Sequence, residues 1–140
     1  MADYFIKFIW AGDGSWYPGK DNLLGFHNEM AAQRFANSDG FFLYEAGWNP
    51  KSKRVDGAKA IYAQGTVEDR TVVEETGASG WHIKINITKR ITPESGVPLY
   101  KIKNILGMRK RSTIQRQGGI LKMTEEQFKK LELEFNKCLK

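Results

Sequence analysis

The 140-residue sequence is short of the groups most enzymes work with: it has one cysteine, Cys138, and two histidines, His27 and His82. A single cysteine cannot close an internal disulfide, and this usage fits a reducing, cytoplasmic setting. Two histidines and one distant cysteine provide no metal-ligand spacing, so no metal is expected. Gly12-Asp13-Gly14 lacks the third glycine of a dinucleotide loop, and no glycine-lysine phosphate loop is present. No apolar run approaches the ~18–20 residues of a membrane span, and no basic or apolar leader precedes Tyr4, so a membrane partner is not expected. Glu74 and Glu75 are adjacent, and neighbours along extended chain point apart, so they read as a solvated pair rather than a catalytic dyad. No nuclease motif is present. Together these absences argue against an enzyme and lead to an expectation of no catalytic residue and no cofactor.

What is present is ordinary in amount and unusual in placement. Hydrophobic residues make up 41% and charged residues 27% of the chain, as in a typical globular protein. Residues 1–140 fit one domain, large enough to bury a core without disulfides or metal. The net charge of +6 is concentrated: residues 101–122 hold Lys101, Lys103, Arg109, Lys110, Arg111, Arg116 and Lys122 and no acidic residue. The rest of the chain carries fifteen basic against sixteen acidic residues, so the whole excess lies in this stretch. A solvated loop is the plain reading of one charge run; a field this one-sided favours a polyanion.

Tyr4, Ile6, Phe8 and Trp10 alternate with Phe5, Lys7 and Ile9, which predicts a strand with one wholly apolar face. Residues 11–22 read as loop. Asn28 is a good N-cap for a helix over 28–37, closed by Ser38-Asp39-Gly40. Residues 41–44 form a short apolar strand, and residues 47–53 a polar loop around Trp48. A strand over 59–67 contains Gly65, which marks a bulge or a close backbone approach. Trp81, Ile83, Ile85 and Ile87 alternate with polar residues as a half-buried strand. Leu99, Ile102, Ile105 and Leu106 have helical spacing over 98–106, stopped by Gly107. Thr124-Glu125-Glu126-Gln127 is a capping box for a helix over 124–138, whose apolar stripe is Phe128, Leu131, Phe135 and Cys138. This pattern predicts an α+β fold: a curved, mostly antiparallel barrel with flanking helices.

The aromatic residues divide by context. Phe5, Phe8, Phe41, Phe42, Trp81, Phe128 and Phe135 follow strand or helix periodicity and belong to a core. Trp10 fits core and pocket equally. Trp16, Tyr17 and Trp48 lie in loops, where burial is hard to arrange, and Tyr44 lies beside one. Indole and phenol faces stack on nucleobases.

Residues 41–47, with Tyr44 and Gly47, followed by residues 60–67, resemble a strand pair of the EVE domains in the PUA-like superfamily. The similarity continues through residues 81–85, Val97-Pro98-Leu99, and residues 117–128 with their glycines, strand and final helix. This resemblance implies a five- or six-stranded barrel with flanking helices, similar also to YTH and ASCH domains. It further implies nucleic-acid binding, with a flipped, modified base held in an aromatic cage. By position, the base pocket would comprise Trp10, Ser15, Trp16, Tyr17, Tyr44 and Trp48. Asp13, Asn49 or Glu45 would select the Watson–Crick edge, and Arg109, Lys110, Arg111 and Arg116 would hold flanking phosphates.

The expected function is therefore a reader of a modified base on DNA or RNA. Such a reader could serve as the specificity module of a modification-dependent restriction system, with a nuclease domain or subunit as partner. Two alternatives stay open. One is an RNA-binding PUA- or ASCH-like module without modification preference. The other is a small hydrolase of modified nucleosides, for which Lys7, Glu45 and Lys59 are the available residues.

Overall fold

A computed structural model of the protein describes residues 3–9, 23–26, 28–47, 57–74, 80–108 and 119–139. Seven strands and three α-helices alternate along them: β1 (Tyr4–Ile9), β2 (Leu23–Phe26), α1 (Glu29–Ala36), β3 (Gly40–Glu45), β4 (Ala60–Glu74), β5 (Trp81–Arg90), β6 (Val97–Pro98), α2 (Leu99–Ile105), β7 (Ile120–Met123) and α3 (Glu125–Cys138). A 3₁₀ turn at Pro93–Ser95 precedes β6. The strands form one curved sheet in the order β2-β5-β4-β3-β1-β7, with β6 added to β4. All pairings are antiparallel except β1 with β3. The protein is thus an α+β half-barrel flanked by helices.

One ring contact shows how far the sheet curls. Four strand spacings separate β1 from β2, about 19 Å in a flat sheet. Yet the Lys7 ammonium lies 4.6 Å from the centre of the Phe26 ring. The two strands therefore face each other across a concave side. Phe5, Ile9, Leu24, Phe26, Phe41, Leu43, Tyr62, Ile83 and Ile85 pack there, with Ala32 and Phe35 of α1 filling the curl. On the convex side Ile6, Phe8, Phe42, Tyr44 and Ile61 pack under Ile102 of α2 and Phe128, Leu131 and Phe135 of α3. With helices on both faces, both alternating rows of β1 are buried, where the sequence pattern marks one.

The helix ends follow the predicted chemistry. Asn28 Oδ1 accepts the Ala31 amide at 3.0 Å. In α3, Thr124 Oγ1 accepts the Gln127 amide at 3.1 Å, and Gln127 Oε1 accepts the Thr124 amide at 3.0 Å. Glu125–Lys129 and Glu126–Lys130 are ion pairs at 3.4 and 3.3 Å. Gly107 takes φ +72° where α2 stops. At Gly65 the β4–β5 register shifts, and a Cβ would lie 2.5 Å from the Asn86 carbonyl oxygen and 2.8 Å from Phe41 Cζ. Both halves of the glycine expectation, bulge and close approach, hold there.

The fold also departs from the pattern. β4 continues to Glu74, seven residues past the predicted end, as a largely exposed arm paired with β5. Those residues carry no apolar alternation; Asp69 Oδ1 accepts the Thr71 amide at 2.9 Å, and Arg70 donates to the Ala36 carbonyl. β2 is four residues long and packs Leu24 and Phe26 inward, too few for periodicity to reveal. Among the described residues, no helix is long and apolar enough to cross a membrane.

Candidate functional site

The strand registers gather several segments at one end of the half-barrel. Ile9, the last residue of β1, lies beside Glu45, the last residue of the parallel strand β3. Glu45 in turn faces Ala60, the first residue of β4. Arg90, the last residue of β5, faces Ala63. Ile120, the first residue of β7, faces Lys7, and the Gly119 carbonyl accepts the Phe8 amide at 2.9 Å. The chain on either side of residues 48–56 is also tied here, the Gly57 amide donating to the Gly47 carbonyl at 3.4 Å. Three segments singled out by sequence thus adjoin described residues at this end: 10–22 follows Ile9, 48–56 follows Gly47, and 109–118 precedes Gly119.

Polar groups converge here on the concave side. Alternation along β1 sends Lys7 to the same side as Phe5 and Ile9, and alternation along β3 sends Glu45 to the side of Phe41 and Leu43. Both are buried, at 5% and 6% exposure. Long polar side chains are rarely buried in a domain core, and two on one side of adjacent strands mark a candidate site. The Lys7 ammonium sits over Phe26 and beside Gly119, where a Cβ would come within 3.1 Å of it. Gly119, at φ +80°, thus has a conformational and a steric reason to be glycine. Glu45 Oε1 accepts the Ala58 amide at 2.9 Å, fixing one carboxylate oxygen.

Tyr62 is the third buried polar group of this end. Burial raises its hydroxyl pKa above the usual tyrosine value; the Arg90 charge opposes that shift and the Glu45 charge adds to it. Both charges therefore lie within electrostatic reach of the phenol. Tyr62 also forms part of the wall of a pocket of about 440 Å³, with Arg90, Ile91, Thr92 and Pro93. That volume lies within the range of small-molecule pockets. Lys59, the third residue considered for hydrolysis, is exposed in the left-handed region at φ 52°, its stem packed over Gly47.

Of the base-pocket residues named from sequence, Tyr44 is the one described. Its ring is 5% exposed in the convex core and 5.0 Å from that of Phe8, on the opposite side of β3 from Glu45. Trp10, Ser15, Trp16, Tyr17 and Trp48 lie outside the described residues, as do Arg109, Lys110, Arg111, Arg116, Asp13 and Asn49. The described part of the basic stretch is divided. Lys122 pairs with Asp3 at 3.2 Å near the far end of β1. Lys101 and Lys103 lie on α2, whose first amide, that of Leu99, donates to the Lys59 carbonyl at 3.0 Å beside the Glu45 end.

Sequence reasoning misses two features. Tyr62 reads only as part of a strand, since its convergence with Glu45 and Arg90 depends on pairings across β3, β4 and β5. Tyr100 goes unmarked in α2 because helical spacing points to buried positions. It is 66% exposed and lines a groove of about 450 Å³ with Leu99, Lys101, Lys103, Asn104 and Met108. Among the described residues, no group of three or more His, Cys, Asp or Glu side chains is placed to hold a metal. Compared with known protein families and with curated proteins, the chain matches none.

Proposed function

We propose that this protein is a nucleic-acid-binding reader that captures one base, modified in its preferred ligand, at the Glu45 end of the half-barrel. The observation that carries the reading is convergence. Ile9, Gly47 and Gly119, each next to one of the two aromatic loop segments or the basic segment, lie at one end, around buried Lys7, Glu45 and Tyr62. A base needs an apolar enclosure for its faces and fixed donors and acceptors for its edge. Glu45 offers an acceptor, and Lys7 and Arg90 offer donors. Extruding a base costs a few kcal/mol, which stacking on aromatic rings at roughly 1–3 kcal/mol each can offset. The resemblance to EVE domains agrees with this reading, and on it a nuclease domain or subunit is the natural partner.

The test is a binding screen of modified against unmodified DNA and RNA oligonucleotides, with Trp16→Ala and Trp48→Ala as variants. Each variant is expected to lose about one to two decades of affinity, more for the preferred modified base than for its parent. Their thermal stability should be near that of the parent protein, whereas Tyr44→Ala, which empties a core position, should cost about 3–5 kcal/mol of stability. Binding that survives both tryptophan substitutions with its preference intact would place the base elsewhere. A second reading, hydrolysis of modified nucleosides, draws on the burial of Lys7 and Glu45 on one side of adjacent strands. Product formation from a panel of nucleosides, abolished by Glu45→Gln, would favour it over the reader.

A further inference from the structure

Beyond the base-capture pocket, we infer that the exposed face of α2 is a second nucleic-acid contact: Tyr100 stacks on an unpaired base flanking the captured one, and Lys101 and Lys103 hold the phosphates on either side. The inference rests on the nucleic-acid reading above and adds that the polymer leaves the site as a single strand.

Four observations converge on this face. Tyr100 presents a large ring to solvent, and among the described residues no aromatic ring packs on it. The groove beside it is mixed, with Leu99 and Met108 apolar, Asn104 able to donate and accept, and two lysines. Lys101, which lines the groove, is 3.6 Å from Glu134 of α3 in a partly exposed pair. Finally, the Leu99–Lys59 hydrogen bond and the pairing of Val97 and Pro98 with Ile61 and Ala60 tie the start of α2 to the Glu45 end.

The chemistry selects the occupant. An acidic peptide would use the lysines but has no need of an exposed phenol face. A duplex would use them too, but its bases are stacked on one another and offer no free face to a tyrosine. An unpaired nucleotide uses both, since every base has a π-face and every linkage a charge.

The experiment compares the full chain with Tyr100→Ala and Tyr100→Phe by fluorescence anisotropy. The probes are a single-stranded oligothymidylate of about 12 nucleotides, within the span of known single-strand sites, and a duplex of the same length. Poly-glutamate serves as competitor. Tyr100→Ala is expected to weaken single-strand binding roughly ten- to a hundred-fold, while Tyr100→Phe keeps it and the duplex changes less than about three-fold. The dependence of log affinity on log salt should be the same in the alanine variant, because every lysine–phosphate pair remains. Equal weakening on single strand and duplex, an unchanged affinity, or displacement by poly-glutamate at equal charge would each overturn the inference. A parent protein that binds no oligonucleotide would overturn the underlying reading as well. Binding that responds to Trp16→Ala and Trp48→Ala but not to Tyr100→Ala would overturn this inference alone.

Discussion

At the scale of single residues, Tyr62 is the group whose environment most alters its chemistry. Its phenol is fully enclosed between strands, so ionisation would put a charge where water cannot solvate it. Below the ordinary tyrosine value of 10.0 the hydroxyl keeps its proton in folded and unfolded chains alike, and stability is unaffected. Above that pH the unfolded chain releases the proton and the folded chain retains it, so stability falls by about 1.4 kcal/mol per pH unit. Denaturant titrations from about pH 8 to 11 on the parent and Tyr62→Phe should show this decline in the parent and a shallower one in the variant. Equal alkaline slopes would mean that Tyr62 ionises as freely folded as unfolded. Lys7 and Glu45 are also buried inside the curl, and that burial of two long polar side chains is the residue-level argument for a site.

Elements are decided by a few local devices, and these differ in what they cost to remove. The α3 capping box lies at the surface, and Thr124→Ala should cost about 1 kcal/mol by leaving one helix-terminal amide without its side-chain acceptor. Gly65→Ala is a steric change. Its Cβ would meet the Asn86 carbonyl and the buried Phe41 ring, so β4, β5 or the concave core must shift, at about 1–3 kcal/mol. Thermal or denaturant unfolding of the two variants checks the ranking; a Gly65→Ala protein as stable as its parent would show that the bulge can absorb a methyl group. The bulge matters because the sheet must curl for Phe26 to reach Lys7, and bulges increase local bend and twist.

For the whole molecule, the controlling fact is that an excess of +6 arises from one short stretch while the rest is nearly balanced. Phosphate contacts set affinity without sequence preference, so reversing Arg109, Lys110 and Arg111 together should weaken binding to all oligonucleotides by similar factors. Each phosphate no longer neutralised should reduce the log–log salt slope by ~0.9 on duplex and ~0.7 on single-stranded ligand. A slope unchanged by the triple reversal would remove this cluster from the interface. α1 fills the concave side, α2 and α3 cover the convex side, and the strand ends near Glu45 are where the pocket and the polar side chains lie.

The sequence by itself determined what nearest neighbours along the chain can determine. Asn28 and the Thr124 box mark helix starts because the atoms they satisfy are three residues away, and both caps form. The alternation of Trp81, Ile83, Ile85 and Ile87 marks a half-buried strand because its period is local to the backbone. The charge segregation is likewise a property of the chain order. Tertiary structure alone decided which strands pair, and with them the site. No local pattern makes β1 run parallel to β3, yet that register puts Ile9 beside Glu45. Nor does any local pattern bring β2 around to face β1, yet that curl lays Lys7 over Phe26. It also set Tyr44 in the convex core and Glu45, one residue later, on the concave side, since a strand turns successive side chains to opposite faces and only packing says which face encloses a pocket. Tyr62 and Tyr100 acquire their interest in the same way, from what distant parts of the chain bring to them or leave uncovered.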